Sequence, residues 1–256
     1  MAPALIPTYS KDLSITPFGE KLLIETFYFF TLEAGLLRAD EYIVTAGEYH
    51  YYLDVYQLGC TTDDFFKDHG EQLLDSGASM QDIVNTLLSF DMVDENKTIK
   101  IGRIQYNDFN FVEENGQTMT GKQIKSAVIN PDFQSTGLAR FIYVMLTKKH
   151  EYLICDNVQS VAGGALWASS ILRIAVVRIY DSKTKKFVDL LGHGGRGFSG
   201  LIPWSSQNLS IDDVVRWGRA LDDKNCCRHI VHVICKDRLI DYEFHDYVSY
   251  SNDESE

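Results

Sequence analysis

Residues 126–149 read SAVINPDFQSTGLARFIYVMLTKK, and this stretch decides the fold class. Its first residues suit a strand, which ends at Asn130-Pro131 because proline has no amide to offer a sheet. Apolar residues then recur every three or four positions, as they do on one face of a helix. These positions are Leu138, Phe141, Ile142, Met145 and Leu146. The stretch therefore predicts a strand, a tight turn and a helix that packs on a sheet.

The turn itself reads Gln134-Ser135-Thr136-Gly137-Leu138-Ala139. Gly137 can adopt a positive φ and lets another group approach the backbone closely. The first N–H groups of the following helix have no partner within it and lie at the positive end of its dipole. With Arg140 as an added cation, the loop is a candidate site for a pyrophosphate. A glycine that serves packing alone is the alternative interpretation.

The segments around this unit extend the pattern. Residues 98–106 and 121–130 predict an antiparallel strand pair, because apolar and polar residues alternate in the first and β-friendly residues fill the second. A second strand is predicted at Tyr152–Asp156, and a helix within residues 160–172. Strand, helix, strand, helix and strand in succession are typical of a crossover between parallel strands.

This order, together with the Gln134-x-x-Gly137-x-Ala139 loop, resembles the acetyl-CoA-binding core of the GNAT superfamily of N-acetyltransferases. The resemblance covers about residues 98–177, and the divergent chain also resembles phage-encoded GNAT-like proteins. It implies an α/β (α+β) fold with a mixed, mostly antiparallel sheet flanked by helices. In that fold two central parallel strands splay apart, and this chain would add further elements at both ends.

The resemblance also implies the site. Acetyl-CoA would be the co-substrate, with no metal, and an amine would attack it directly. The backbone of Val128 and Ile129 would pair with the pantetheine arm, and the Ile129 amide would polarise the acetyl carbonyl. The pyrophosphate would lie against the loop residues Gln134, Ser135, Thr136, Gly137, Leu138, Ala139 and Arg140.

The chain departs from the family at the acid. The position of the usual tyrosine holds Trp167, whose indole N–H does not titrate. Ser160 is the candidate catalytic residue, through a hydrogen bond to the thiol, and a helix cap is its alternative role. No general base stands in a fixed pattern. The candidates are Tyr106, Asp108, Glu113, Glu114 and His193, against the simpler interpretation of solvated acids and a glycine-rich loop.

Composition limits the function classes. The chain has 256 residues, 45% hydrophobic and 23% charged, which excludes disorder and a coiled coil as its main architecture. Its formal net charge of -12 argues against general nucleic-acid binding unless one face is locally basic. No apolar run approaches the roughly 20 residues of a membrane-spanning helix, so we expect no membrane insertion. Five cysteines without a framework spacing predict a reducing cytosol, bacterial or phage-infected, and no metal site.

The predicted organisation has three parts. Residues 1–97 form a helix-rich N-terminal part of the same domain, with a buried helix over Glu20–Leu37. Residues 98–180 form the core with the acetyl-CoA loop. Residues 181–256 form an extension with a glycine-rich loop, a helix after Ser210, a strand and an acidic tail.

Two functions remain open, and a third is weaker. The first is acetyl-CoA-dependent N-acylation of a small-molecule or protein amine, by a chain for which a homodimer is compatible. The alternative is a catalytically inactive GNAT-like protein that binds a protein partner through its acidic surface. The third, a nucleotide-binding α/β protein, lacks the Gly-Lys-Ser/Thr of a P-loop.

Overall fold

The computed structural model describes residues 4–6, 13, 19–134, 136–223, 228–240 and 248–251. These residues form a mixed α/β fold with mostly antiparallel strand pairing and five flanking α-helices, which confirms the predicted fold class. The strands are β1 (Ala4–Ile6), β2 (Lys21–Thr31), β3 (Gly35–Val44), β4 (Tyr51–Cys60), β5 (Val93–Val112), β6 (Thr118–Ile129), β7 (Tyr152–Ile154), β8 (Val158–Ser160), β9 (Arg178–Asp181), β10 (Lys186–Gly192), β11 (Arg196–Gly197), β12 (Ile230–Cys235) and β13 (Val248–Ser251). The helices are α1 (Phe65–Asp75), α2 (Met80–Ser89), α3 (Leu138–His150), α4 (Val161–Ala165) and α5 (Ile211–Trp217).

The chain folds as two compact units. Unit 1 holds the described residues of 1–11, 107–125 and 142–242, and unit 2 those of 12–106, 126–141 and 243–256. The chain passes between the units within β5, β6 and α3. The units therefore do not coincide with the predicted parts 1–97, 98–180 and 181–256, because single long elements contribute residues to both.

Unit 2 is built on an antiparallel sheet in the order β13-β2-β3-β4-β5. The predicted helix over Glu20–Leu37 is wrong, since this stretch forms β2 and the start of β3. Its residues are apolar on most faces, which suits a buried helix or a buried strand, but its aromatic run favours a strand. Phe27 and Phe29 are fully buried, and Gly35 begins β3 with a φ of +72°.

The helix-rich character predicted for residues 1–97 is wrong for the same reason. Only α1 and α2 are helical there, and they cover one end of the sheet. The two short helices predicted at residues 62–74 are one helix, α1, which Gly70 does not interrupt. A Cβ at Gly70 would stand 2.2 Å from the Phe30 ring, so the glycine allows close packing. Ser79 caps α2 by accepting from the Asp82 amide, as predicted.

Unit 1 contains strands in the order β6-β7-β12-β9-β10-β11. Every neighbouring pair is antiparallel except β6 and β7, which run parallel. A second, two-stranded sheet pairs β1 with β8. The predicted helix after Ser210 is α5, with a capping box between Ser210 and Asp213, and the predicted strand at residues 229–235 is β12. Ser135, Cys226, Cys227 and the acidic tail lie outside the described residues.

Candidate functional site

The parallel pair of unit 1 ends soon after it begins. Only two register pairs join β6 to β7, Lys122 with Leu153 and Gln123 with Ile154. β7 stops at Ile154, whereas β6 continues to Ile129. The C-terminal half of β6 is therefore not hydrogen-bonded to β7, as the resemblance implies for strands that part.

Side chains bridge the chain just beyond the last backbone pair. The Gln123 amide donates to the Cys155 carbonyl at 3.0 Å and to Asn157 Oδ1 at 2.9 Å. A side chain that reaches the main chain of its neighbour shows that the two backbones have separated there. One residue pair further, Lys125 Nζ lies 2.9 Å from Asp156 Oδ1. Burial raises the pKa of the Asp156 carboxyl, and the Lys125 ammonium opposes that rise.

The end of β6 lies in unit 2 and has a free direction. The Asn130 amide donates to the Ile101 carbonyl of β5 at 2.8 Å. Because successive amides of a strand point to opposite sides, the Ile129 amide points away from β5, and the Val128 amide points towards it. Of the two predicted pantetheine partners, only Ile129 therefore presents its amide at the edge opposite β5. Its carbonyl accepts from the Gln134 side chain at 3.1 Å.

The predicted loop follows directly. The strand ends at Asn130, whose side chain accepts from the Asp132 amide and caps a short 3-10 turn at Pro131–Phe133. Gly137 adopts a φ of +88°, a conformation that side-chain-bearing residues rarely take. Packing alone does not require a glycine here, because an added Cβ would meet only the Arg140 guanidinium, at 3.3 Å.

The first turn of α3 supplies the donors. The Thr136 hydroxyl donates to the Phe133 carbonyl at 2.8 Å and accepts from the Leu138 amide at 3.4 Å, so one amide of the cup is capped by the chain itself. Leu138 is buried, whereas Ala139 is half-buried and occupies the next position of the first turn. The amides of a first turn are the ones that can receive an anion.

Ser160 has a structural role in unit 1. Its hydroxyl accepts from the Gly163 amide at 3.0 Å and caps α4, which was its alternative assignment. Trp167 is 2% exposed and packs beside the rings of Tyr143 and His232, 5.9 and 6.1 Å between ring centres. Neither residue offers a proton donor to solvent.

Sequence reasoning missed a thiol–imidazole pair in the core of unit 1. Cys155 Sγ lies 3.4 Å from His232 Nδ1, and both residues are fully buried. Burial lowers the pKa of His232 to about 3 and raises that of the Cys155 thiol, so both groups are neutral at neutral pH. His232 also stacks against Trp204 at 4.6 Å. Their sequence separation of 77 residues gave no signal.

The candidate bases are mostly occupied. In unit 2, the Tyr106 hydroxyl donates to Glu41 in the core, and burial raises its pKa. In unit 1, Asp108 pairs with Lys122 at 2.6 Å, and Glu113 accepts from Arg178 at 2.6 and 2.8 Å. Glu114 is an exposed turn residue, and His193 borders an apolar cavity.

Comparisons with protein-family models, with curated proteins and with solved structures find no match for this chain. The resemblance to the GNAT superfamily therefore stays a prediction. Across the described ranges, no group of His, Cys, Asp and Glu side chains is placed to hold a metal ion. In the part of the chain that the structure describes, no helix is long and apolar enough to cross a membrane.

Proposed function

We propose that this protein binds acetyl-CoA and transfers the acetyl group to an amine. The observation that carries the proposal is the end of β6, where a strand edge leads through the positive-φ turn at Gly137 into the first turn of α3. This arrangement offers extended backbone to an amide-bearing arm and helix amides to a pyrophosphate.

The cofactor would use groups that lie within unit 2. The pyrophosphate would take the first-turn amides near Ala139, with the Arg140 guanidinium beside Gly137 as a cation. The pantetheine arm would lie along the edge of β6 opposite β5. There an amide of the arm would replace the Gln134 side chain as the donor to the Ile129 carbonyl.

The transfer itself needs no covalent intermediate. The amine nitrogen attacks the acetyl carbonyl carbon, the N–C bond forms and the thioester C–S bond breaks. The electron pair of that bond leaves with sulfur, and the proton lost by nitrogen ends on the CoA thiolate, directly or through water. The Ile129 amide would stabilise the oxyanion that forms on the carbonyl.

Isothermal titration with acetyl-CoA tests the cofactor site. Gly137→Val should weaken binding at least about tenfold, because it strains the turn and fills the cup. Gly77→Val is the matched control, since Gly77 has a φ of +85° in open space outside the loop. No heat from the folded wild type at about 1 mM acetyl-CoA would end the proposal.

The second candidate is a protein of the same shape that binds a partner without catalysis. Buried Trp167 favours it, because this position then offers no acid for the leaving thiolate. Thiol release from acetyl-CoA, followed with polyamines, an aminoglycoside and a lysine-bearing peptide as acceptors, separates the two. CoA binding without turnover on any acceptor would favour the binder.

A further inference from the structure

One end of unit 1 exposes apolar side chains around a small cavity. We name this surface the apolar rim: Val176, Leu190, Phe198 and Ile240, of which Phe198 is 77% exposed. The cavity holds about 180 Å³ and is lined further by Leu172, Ala175, Val177 and Leu191. A cavity near 150 Å³ accepts a benzene molecule, so this one accepts a single aromatic or branched aliphatic side chain.

The chain holds Phe198 in this exposed position through fixed contacts. Its amide donates to the Leu190 carbonyl at 3.0 Å. The next residue, Ser199, donates from its amide and its hydroxyl to Asp189 Oδ2, at 3.0 and 2.5 Å. Gly197 allows this turn, because a Cβ there would stand 2.0 Å from the same carboxylate oxygen. The exposed ring is therefore presented by ordered backbone.

Cations border the rim. Arg196 pairs in register with Gly192 of the cavity wall, the Arg238 carbonyl accepts from the Val176 amide, and Arg173 follows Leu172. All three arginines are exposed, and none forms an ion pair with a carboxylate of the described residues.

The carboxylates nearby do not cancel these cations. Asp189 already accepts from Ser199 and from the Leu190 amide, which lowers its pKa against the desolvation that would raise it. Asp237 is exposed beside Arg238. Lys186, on the same strand as Leu190, adds a further exposed cation. The rim is thus locally basic on a chain of net charge -12.

We propose that the apolar rim docks an acidic segment of a partner protein, with one apolar side chain of that segment in the cavity. An exposed apolar patch beside a cavity of this size marks an interaction site, and buried aromatic contacts carry most of the energy of such sites. The unpaired arginines select a negatively charged segment and increase its association rate. This inference does not depend on acetyl-CoA binding.

Fluorescence anisotropy with labelled synthetic peptides tests the proposal. The probes are acidic peptides that carry one central Leu, Phe or Trp, together with the same peptides in which Ser replaces the anchor or Lys replaces the acids. Only the acidic, anchored peptides should bind, and added salt should weaken them because it screens the arginines. Failure of every acidic, anchored peptide to bind below about 1 mM would overturn the proposal.

Two variants and a control locate the binding. Phe198→Ser should weaken the anchored peptide at least about tenfold, and Arg196→Glu should weaken it and reduce its salt dependence. Ile211→Ser changes another exposed apolar residue of unit 1, 83% exposed, and should leave binding unchanged. An equal loss in this control would contradict the assignment. So would light scattering that shows a dimer made monomeric by Phe198→Ser, because the rim would then be a contact between copies.

Discussion

Asp54 offers the sharpest test of the energetics of unit 2. Its carboxylate is 2% exposed and accepts from Arg103 at 2.5 and 3.0 Å and from Lys100 at 2.8 Å. Asp40 stands directly opposite it on β3, a like charge that these cations offset. Asp54→Ala would leave Arg103, 6% exposed, as a buried guanidinium without its carboxylate. Breaking such a pair costs about 3–5 kcal/mol of unfolding free energy.

That loss is large enough to measure by heat or urea. For a chain of this size about 1 kcal/mol shifts the melting temperature by about 2–4 °C, so Asp54→Ala should lower it by about 6–20 °C. Far-UV circular dichroism is the suitable probe, because all three tryptophans lie in unit 1 and their fluorescence does not report on unit 2.

Two comparisons decide whether the reasoning holds. Asp63→Ala removes a carboxylate that is 88% exposed beside Lys97, and it should leave the melting temperature unchanged. Asp54→Leu combined with Arg103→Leu should recover most of the loss, since no charge is then left buried and alone. An Asp54→Ala variant within about 1 kcal/mol of wild type would refute the argument.

Three further predictions concern unit 1. Arg178 holds the pKa of Glu113 below its usual value, so this pair stabilises the fold above the unfolded pKa, and the stabilisation is lost as pH falls through the folded one. Glu113→Gln should therefore reduce the difference in urea midpoint between neutral and acid pH. Because the pKa of His232 falls to about 3 on burial, stability should decline as pH drops below its unfolded value of about 6.5, and the ring should show a neutral NMR shift at pH 5. Burial raises the pKa of the Cys155 thiol, so peptide-level mass spectrometry should find it unalkylated by iodoacetamide at pH 8 until the protein unfolds.

Local signals predicted well where a few neighbouring residues suffice. Ser79 with Asp82 and Ser210 with Asp213 place a cap three residues before its partner, and both helices begin there. The strand end at Asn130-Pro131 and the turn at Gly137 were also readable, because a missing amide and a missing Cβ act within the segment itself.

The candidate site was only partly predictable. The turn and the start of α3 lie in one continuous stretch, but Lys125 and Asp156 meet across 31 residues, and Gln123 reaches Asn157 across 34. No spacing rule connects such residues before the strands are paired. Ser160 was assigned to chemistry by analogy, while the structure gives its hydroxyl to a helix cap.

The sequence by itself determined the helix caps, the strand–turn–helix at residues 126–149 and the mixed α/β class, because each follows from contacts between near neighbours. The tertiary structure alone decided that residues 20–37 pair as strands, that the parallel pairing of β6 and β7 stops at Gln123, and that Phe198 stands exposed beside a cavity. An apolar run satisfies helix and strand equally until partners from distant parts of the chain supply the hydrogen bonds and the packing that distinguish them.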